Sequence, residues 1–350
     1  MIDEVELYSC VGLPIFQNRT YDNEKSAKAC PKGDLSLVQN LKSGLIYNAS
    51  FRSELVVYDE HYQNEQALSP AFREHLLDVS KLIEKTMGRE QLIEVGCGKG
   101  FFLEAMIERG VDITGFDPAY EGNSDFIKKQ LFQPDTGMEG KGLILRHVLE
   151  HIQNPVDFLV SLAKANGKQG LIYIEVPCFD WIQKRCSWFD LFYEHVNYFR
   201  LEDFNRMFGR LVESGRLFGG QYLYAIADLA TIREPIIGSQ ELCSFPPDFM
   251  KSLNSFPKEK NAAVWGASSK GVIFSLMMQK FDGDVSTIID INPAKQGRYL
   301  PGTGKRVSSP EEALETLPAG STIFVMNSNY LDEIKCMSNH AYHYVSVDDE

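Results

Sequence analysis

A glycine-rich turn between a hydrophobic run and a helical pattern constrains this chain more than any other feature. The segment LIEVGCGKGFFLEAM (92–106) predicts a buried strand, a tight turn and a helix. Gly96, Gly98 and Gly100 let the backbone turn sharply and approach a ligand, since side chains there would clash. Asp117 ends the next predicted strand, 21 residues after Gly96, and its carboxylate can accept hydrogen bonds from both hydroxyls of a ribose. The pattern therefore predicts a cofactor that contains a nucleoside.

The order of residues in this turn distinguishes between two classes of cofactor. The dinucleotide fingerprint G-x-G-x-x-G has a third glycine where helix and strand pack closely, and Phe101 occupies that position here. Glu94 stands two residues before the turn, where a carboxylate suits a cationic cofactor with an amine and a sulfonium. The run EVGCGKG with the later acid resembles the class I S-adenosylmethionine (SAM) methyltransferases. The resemblance implies SAM as cofactor, S-adenosylhomocysteine (SAH) as product, and these binding residues: Glu94, Gly96, Gly98, Asp117, Pro118, His147, Tyr62 and Gln66.

The run LILRHVLEHIQNP (143–155) extends this resemblance. In that class the fourth strand ends beside the cofactor, and many members carry a similar H-x-x-E-H run there. His147 and His151 also have the four-residue spacing of helical metal ligands. We expect no metal, because no third ligand is placed nearby and Glu150 stands in the wrong order for a zinc peptidase motif.

The chain as a whole predicts an α/β protein with three units. Short apolar runs broken by polar residues predict a small β-rich unit in residues 1–55. Alternating strands and helices then predict a Rossmann-like parallel sheet closed by an antiparallel hairpin, and a second Rossmann-like unit follows a polar linker at 240–260. We place the units at 1–68, 69–240 and 241–350. The predicted helices are 69–88, 100–109, 155–166, 200–209, 269–279 and 309–316. The predicted strands are 91–95, 112–116, 127–132, 142–146, 170–176, 210–219, 221–229, 261–267, 285–291 and 321–327. One side of the first helix is predicted to be lined by Phe72, Leu76, Leu77, Val79, Leu82 and Ile83.

Charge and cysteine usage exclude several classes of function. The formal net charge is −13, and no stripe of Lys and Arg interrupts it, so a nucleic-acid polymer is not expected as partner. The seven cysteines form no CxxC pair, which indicates free thiols in a reducing compartment. No signal peptide and no apolar stretch of about 18 residues is found. We therefore expect a cytoplasmic protein with no membrane partner.

The C-terminal third predicts a second ligand site. AVWGASSKG (263–271) places Lys270 at the start of a helix, where free N–H groups favour anions. DINPAKQGRYLPGT (290–303) adds Lys295 and Arg298 in a loop marked by glycine and proline. These charges predict recognition of a nucleotide or diphosphate, unless they form only a solvated loop of a structural domain.

These segments, together with NSNYLDEI (327–334), resemble the sugar C-methyltransferases. The runs FRSELVVYDEHYQNEQALSPAFREHL and YEHVNYF resemble the same family, so that the similarity covers nearly the whole chain. The resemblance implies a SAM enzyme that methylates carbon in nucleotide-linked 4-keto-deoxysugars. It also implies substrate contacts by Lys270, Lys295, Arg298 and Asn329.

The chain departs from this family in two places. Family members usually begin with a zinc ribbon of two CxxC pairs, and the corresponding positions here hold Leu7, Cys10, Asn40 and Ser43. Since a tetrahedral zinc site needs four good ligands, we expect no zinc. The family pattern also often has a tyrosine three residues before its histidine, where this chain has Phe192.

The segment DLFYEHVNYF (190–199) holds the predicted catalytic residues. Methylation beside a ketone requires a base that removes the α-proton and a group that stabilises the enolate. His195 is the candidate base, oriented or assisted by Glu194, with Tyr193 or Tyr198 donating to the enolate oxygen. Glu194 and His195 would face opposite sides of a strand, so both can act only in a loop. The alternative is a satisfied histidine in an aromatic core.

The sequence leaves other functions open. N- or O-methylation by the same fold is the nearest variant. An NAD(P)-dependent oxidoreductase or epimerase would use either glycine turn, although both lack the third glycine. A third possibility is a binding or scaffold protein that keeps the fold without catalysis. The sequence names neither the sugar nor the methylated atom, and it leaves monomer and homodimer open.

Overall fold

The first unit of the fold is a small antiparallel sheet with one short helix. The computed structural model describes residues 3–56, 62–63, 65–238, 242–258, 261–283 and 285–349. Polar and glycine-containing turns separate the strands, as the sequence predicts. The elements are β1 (Glu4–Pro14), α1 (Glu24–Lys28), β2 (Lys32–Asn40) and β3 (Ile46–Asn48).

The second unit alternates strands and helices. Its first helix begins where predicted, because the Ser69 hydroxyl accepts a hydrogen bond from the amide of Phe72 and Pro70 occupies the first turn. The elements are α2 (Pro70–Met87), β4 (Leu92–Val95), α3 (Phe101–Glu108), β5 (Ile113–Phe116), β6 (Ile127–Lys128), β7 (Gly142–Arg146), α4 (Pro155–Ala165), β8 (Leu171–Pro177), α5 (Phe179–Lys184), β9 (Asn197–Tyr198), α6 (Leu201–Met207), β10 (Leu211–Leu217) and β11 (Tyr222–Asp228).

The third unit has the same alternation. Its strands are short and fully buried in the centre, which agrees with their continuous apolar sequence. The elements are β12 (Ala263–Trp265), α7 (Ser269–Lys280), β13 (Thr287–Ile289), β14 (Val307–Ser308), α8 (Pro310–Thr316), β15 (Thr322–Val325), α9 (Leu331–Met337) and β16 (His343–Ser346).

Three sheets organise these elements. The central sheet has the order β10-β11-β8-β7-β4-β5-β6; strands β4 to β8 run parallel, and the hairpin β10–β11 adds an antiparallel edge. The C-terminal sheet, β14-β13-β12-β15-β16, is parallel throughout. The N-terminal sheet has the order β1-β2-β3-β9. The predicted Rossmann-like α/β class is therefore confirmed for both larger sheets.

Strand β9 connects the first two units. It follows Glu194 and His195 in the chain, contains Tyr198, and pairs with β3, with Ile46 opposite Tyr198. On the other side of this segment, the ring of Trp188 stacks on Phe274 of α7 at 5.7 Å between centroids. Both rings belong to one buried cluster that also contains Leu13 of β1. The segment around residues 188–198 is therefore fixed between the N-terminal and C-terminal sheets.

Two details differ from the sequence-based expectation. Leu77, predicted on the buried side of α2, is 39% exposed, because the buried face follows Phe72, Leu76, Val79 and Ile83 instead. The strand predicted at 127–132 is limited to two residues. The boundary proposed between residues 240 and 241 lies outside the described residues, as do 57–61 and 64 of the segment that resembles the sugar C-methyltransferases. No described helix is long and apolar enough to cross a membrane.

A glycine in α7 permits the closest backbone approach in the C-terminal unit. A Cβ atom on Gly271 would lie 1.8 Å from the carbonyl oxygen of Gly266. We expect Gly271→Ala to lower the free energy of unfolding by about 1–3 kcal/mol, since the helix or the turn must move. The control Gly137→Ala has a positive φ of 64° but no atom within 4 Å, so it adds backbone strain only. Chemical denaturation measures the free energy of unfolding of both variants. An equal loss of stability in the two variants would contradict the close packing at Gly271.

Candidate active site

A cavity lies where the three units meet. Parallel strands bind ligands beyond their carboxyl ends, and the cavity lies beyond those of both larger sheets. His147 and Pro177 line it from the ends of β7 and β8, and Gly266, Asp290 and Met326 line it from the ends of β12, β13 and β15. The N-terminal unit supplies Asn18 and the following segment supplies Tyr62 and Gln66.

The glycine turn after β4 has the conformation that the sequence predicts. Gly96 and Gly98 have positive φ angles of 74° and 55°, and a Cβ atom on Gly96 would lie 2.5 Å from Val148. Asp117 is fixed against this turn, because its Oδ2 accepts a hydrogen bond from the amide of Gly98 at 2.8 Å. Its Oδ1 accepts from the amide of Ala119 at 2.8 Å. The turn and the carboxylate are thus brought together, with the exposed Pro118 beside them.

Glu94 is a buried acid beside this turn. Its side chain is 3% exposed, and its Oε2 atom has no hydrogen-bond partner among the described residues. Burial raises the pKa of Glu94 to about 7, although the charge of Arg146 opposes this shift. A buried polar atom without a partner is unfavourable. The site therefore fits a cationic ligand such as the amine of SAM.

A second buried acid, Glu175, holds several groups in place. Its Oε1 accepts from Nε2 of His75 at 2.9 Å and from Nε2 of His147 at 3.1 Å. Its Oε2 accepts from the Tyr173 hydroxyl at 2.6 Å, and the guanidinium of Arg146 lies 3.4 Å away. Burial alone would raise the pKa of Glu175, but Arg146, His147 and His75 outweigh burial and hold it well below its ordinary value.

His147 adopts a left-handed conformation, with φ of 51°. Its Nδ1 lies 3.4 Å from Oε1 of Glu150, and its ring meets the ring of Tyr222 edge-on at 4.6 Å. Burial would lower the pKa of His147, but Glu150 and Glu175 outweigh burial and raise it to about 9. The predicted cofactor contact therefore lies in the cavity wall as an imidazolium at neutral pH.

Glu194 and His195 lie in a turn rather than a strand, so the side-chain alternation of a strand does not separate them. The Glu194 carboxylate nevertheless points at the N-terminal unit. Its Oε1 accepts from the amide of Gln17 at 2.6 Å, and its Oε2 accepts from the Tyr62 hydroxyl at 2.9 Å. We expected Glu194 to orient or assist His195. Its carboxylate instead accepts hydrogen bonds from Gln17, Asn18 and Tyr62.

His195 lines the cavity with a side chain that is only 9% exposed. Its Nδ1 has no hydrogen-bond partner in the described part of the chain. The ring contacts Phe192 at 4.1 Å and His151 at 4.9 Å between centroids. Burial, and then the charges of His151 and His147, hold the pKa of His195 well below its ordinary value. The imidazole is therefore neutral at physiological pH.

The two tyrosines predicted to assist catalysis do not line the cavity. The Tyr193 hydroxyl accepts from the amide of Arg52 at 2.8 Å, and its ring stacks on Phe51. The Tyr198 hydroxyl bonds to the backbone of Phe192, with 3.1 Å to its nitrogen and 3.0 Å to its oxygen. Both phenols fix backbone instead, and Tyr62, expected only as a cofactor contact, reaches the cavity beside Glu194.

Two of the four predicted substrate contacts lie in the cavity wall. Lys270 bonds to Asp190 at 3.1 Å and to Oε1 of Gln221 at 2.8 Å, and Lys295 lies nearby. Arg298 instead binds Thr20 and Asp22, at 2.8 and 2.7 Å. Asn329 donates to the carbonyl of Phe218 at 3.1 Å. Arg298 and Asn329 therefore have other partners, and their predicted substrate contacts stay predictions, whereas Asn327 lines the cavity.

One cluster in the described residues has the composition of a metal site. The ligand atoms of Glu150, His151 and His195 all lie within 4.8 Å of one another. Glu150 is also 3.4 Å from the imidazolium of His147, so that its charge already has a counter-charge. His151 donates from its Nδ1 to the carbonyl of Glu194 at 3.0 Å. The expectation of no metal remains a prediction, tested below.

Comparison with known proteins identifies the domains. Residues 61–211 match the family model described as a methyltransferase domain. Residues 243–344 match the model described as a C-methyltransferase C-terminal domain. No curated protein matches the sequence significantly. The matched residues contain the glycine turn, His147, His195 and both cavity lysines.

Similar solved structures cover about half of the chain. They include the PH0226 protein of Pyrococcus horikoshii OT3, with 11% identity, a TM-score of 0.37 and coverage of 49% of this chain and 99% of that one. The 1,6-didemethyltoxoflavin-N1-methyltransferase of Burkholderia thailandensis, bound to SAH, has 12% identity, a TM-score of 0.34 and coverage of 54% and 97%. The magnesium protoporphyrin IX methyltransferase of Synechocystis PCC 6803 has 13% identity, a TM-score of 0.35 and coverage of 45% and 84%.

The two matched family models make the chain a SAM-dependent methyltransferase, and its central sheet has the Rossmann-like α/β fold. More particularly, it carries the C-terminal domain of the C-methyltransferases. Of the functions that the sequence left open, methyl transfer is the one that these domains define.

Removing the Glu175 charge should destabilise the whole site. We expect Glu175→Gln to lower the free energy of unfolding by about 3–5 kcal/mol at pH 6, because Arg146 and His147 lose a buried counter-charge. The stabilisation by a carboxylate with a lowered pKa is present above its unfolded pKa, about 4.3, and is lost as the pH falls further. The pKa of His147 is raised to about 9. The stabilisation that comes from the charge of His147 is therefore fully present below about pH 6.5 and is lost as the pH rises through 9.

Urea denaturation between pH 3 and 9.5 measures this difference. The difference in the free energy of unfolding between wild type and variant should be largest from about pH 4.5 to 6.5 and should become smaller at lower and at higher pH. Glu24→Gln is the control, since this acid is exposed and, in the described part of the chain, pairs with Lys28. A gap that is independent of pH would show that packing, not charge, is the origin.

Proposed function

We propose that this protein transfers the methyl group of SAM to a carbon next to the ketone of a small, nucleotide-linked sugar, with His195 as the base. The observation that supports this most is a neutral, buried histidine whose Nδ1 has no partner in the described residues. It faces a cavity walled by both the methyltransferase and the C-methyltransferase domains. The reaction needs such a base, because carbon next to a ketone becomes a nucleophile only after it loses a proton.

The residues around the glycine turn are suited to holding the cofactor. Glu94 offers a carboxylate to the amine, and Asp117 offers one to the ribose. Gly96 and Gly98 keep the backbone free of side chains where the cofactor approaches. When bound, SAM supplies an electrophilic methyl group on a sulfonium, which the carbon nucleophile takes, leaving SAH.

His195 enters the reaction in the form that a base needs. Its lowered pKa keeps it unprotonated down to a pH well below its ordinary value, about 6.5. Negative charge that develops on the substrate oxygen raises the proton affinity of a nearby imidazole. The proton then moves from carbon to the ring, and the electron pair of that bond forms the enolate.

The wall from the C-terminal domain suits an anionic substrate. Lys270 lies at the start of α7, and Ser268 and Ser269 line the cavity beside it. A lysine and a helix N-terminus are both favourable for phosphate oxygens. This local charge supports a nucleotide-linked substrate. All seven cysteines are free thiols, which supports a reducing, cytoplasmic location.

Incubation with SAM and a panel of nucleotide sugars tests the proposal. We expect release of SAH with at least one keto-sugar nucleotide, and a product that carries a new methyl group on carbon by NMR. Amino-sugar nucleotides are the matched controls for N-methylation, and hydroxyl-only sugars for O-methylation. If no SAH is released with any of these substrates, the proposed substrate class is wrong.

The base assignment has its own test. His195→Gln should lower kcat by about 10²–10⁴-fold, the usual contribution of a general base, while calorimetry shows SAH binding unchanged. In the wild type, kcat/KM should still be unaffected at pH 6.5, the ordinary pKa of a histidine, and should fall only at a pH well below it, because the pKa of His195 is held well below that value. His340→Gln, at an exposed position, should behave as wild type.

Treatment with a chelator distinguishes a His195 that acts as a base from a His195 that binds a metal ion. With His195 as base, activity should survive treatment with EDTA. Loss of activity with EDTA, restored by a divalent cation, would make Glu150, His151 and His195 a metal site and would contradict the base assignment. Full activity of His195→Gln would contradict it independently.

A further inference from the structure

Lys295 is a buried cation in the wall of the cavity. It follows β13 in the chain, and its side chain is 3% exposed. Its own backbone forms a tight turn, because its amide donates to the carbonyl of Asn292 at 3.0 Å and its carbonyl accepts from the amide of Arg298 at 3.1 Å. Burying a lysine is costly unless it is paired or has a function.

The hydrogen bonds of this ammonium group are incomplete. An ammonium has three N–H donors, and Nζ of Lys295 donates to the carbonyl of Ala267 at 3.1 Å. Oδ2 of Asp290 lies 3.8 Å away, which is longer than a hydrogen bond. Both oxygens of that carboxylate already accept backbone amides, those of Ala267 at 2.7 Å and Asn292 at 2.8 Å. In the described part of the chain, donors of Lys295 thus remain for a ligand in the cavity.

The other lysine in the wall differs in this respect. Lys270 bonds to Asp190 and Gln221, and it lies 5.1 Å from the ring centre of Trp181. Part of its charge is thus balanced by a carboxylate at 3.1 Å. In the described part of the chain, Lys295 has no acid within 3.5 Å, so more of the electrostatic field of its charge reaches the cavity.

The charges that act on Lys295 link it to the segment that carries the proposed base. Glu194, the residue that precedes the proposed base, and Asp290 both attract its charge. Burial lowers the pKa of Lys295, and those two carboxylates oppose the shift. A cation held in a water-poor cavity stabilises nearby negative charge much more than it would in water.

We propose that Lys295 donates a hydrogen bond to the ketone oxygen of the substrate and stabilises the enolate that forms when His195 removes the α-proton. The inference rests on the proposed function. The C–H electron pair becomes the C=C bond of the enolate, the π pair of the carbonyl moves onto oxygen, and the proton goes to His195. Methylation at carbon restores the carbonyl. Lys270 then remains for the phosphates, so that the two lysines have different roles.

Exchange of the α-proton measures this step separately from methyl transfer. The substrate from the SAH-release panel is incubated in D₂O with enzyme and SAH, and loss of the α-proton signal is followed by NMR. Wild type should exchange the proton. We expect Lys295→Met to slow exchange and to lower kcat by about 10²–10³-fold, as for removal of one donor to a developing oxyanion, with KM within a few-fold and SAH affinity unchanged.

Two further variants keep the test interpretable. Lys280→Met, at the exposed end of α7, is the matched control and should exchange as wild type. If Lys295→Met fails to fold or to bind SAH, Lys295→Arg retains the charge in the same position. It should keep more of the exchange rate than Lys295→Gln, and equal rates for these two would overturn the proposal.

The outcomes distinguish this inference from the proposed function. If the wild type neither exchanges the proton nor releases SAH with any keto-sugar nucleotide, the proposed function fails. If the wild type does both and Lys295→Met exchanges equally fast, only the role of Lys295 is wrong. A raised KM with unchanged kcat would show that Lys295 binds phosphate instead. Covalent trapping of the substrate by borohydride would show an imine and would also overturn the hydrogen-bonding role.

Discussion

The buried carboxylate of Glu175 is the interaction on which the cavity depends. It lies in β8 and binds groups from α2, from the end of β7 and from its own strand. Several charge-assisted bonds replace the water that an isolated buried carboxylate would lose. The arrangement holds His147 in a left-handed conformation that would otherwise be unfavourable. Because the same imidazolium lies in the cavity wall, the packing of the central sheet and the charge of the site are set together.

Glu194 is a second buried carboxylate with a comparable structural role. It binds the backbone of Gln17 and the Tyr62 hydroxyl, and its own carbonyl meets His151. The N-terminal unit is thereby tied to the segment that carries His195. Both carboxylates already accept hydrogen bonds that fix neighbouring groups, so the proposed mechanism gives them positioning roles. The proposed mechanism assigns proton transfer to His195, an imidazole in this wall that is buried, neutral and without a hydrogen bond at Nδ1 in the described residues.

The parts of this structure that follow from local patterns could be predicted from the sequence. The glycine turn, Asp117, the capped start of α2 and the hairpin β10–β11 each depend on neighbouring residues, and each lies where expected. Long-range partners could not be predicted. Tyr193 bonds to an amide 141 residues away and Arg298 to a threonine 278 residues away, so no local pattern could show that both point away from the cavity. No sequence pattern pointed to Glu175 either, because the residues around it in β8 form a continuously apolar run.

An acidic chain and an anionic substrate are compatible because the two charges act over different distances. The net charge of −13 repels a polyanion, but solvent-exposed charges are screened beyond about 8–10 Å at physiological ionic strength. Inside the cavity, Lys270, Lys295 and the imidazolium of His147 act over a few ångströms at lower dielectric constant. A small anion therefore experiences the local cations once it enters, whereas a nucleic acid would remain outside and experience the whole acidic surface. His195 stays neutral in the same wall because burial, and then the charges of His151 and His147, hold its pKa well below the ordinary value.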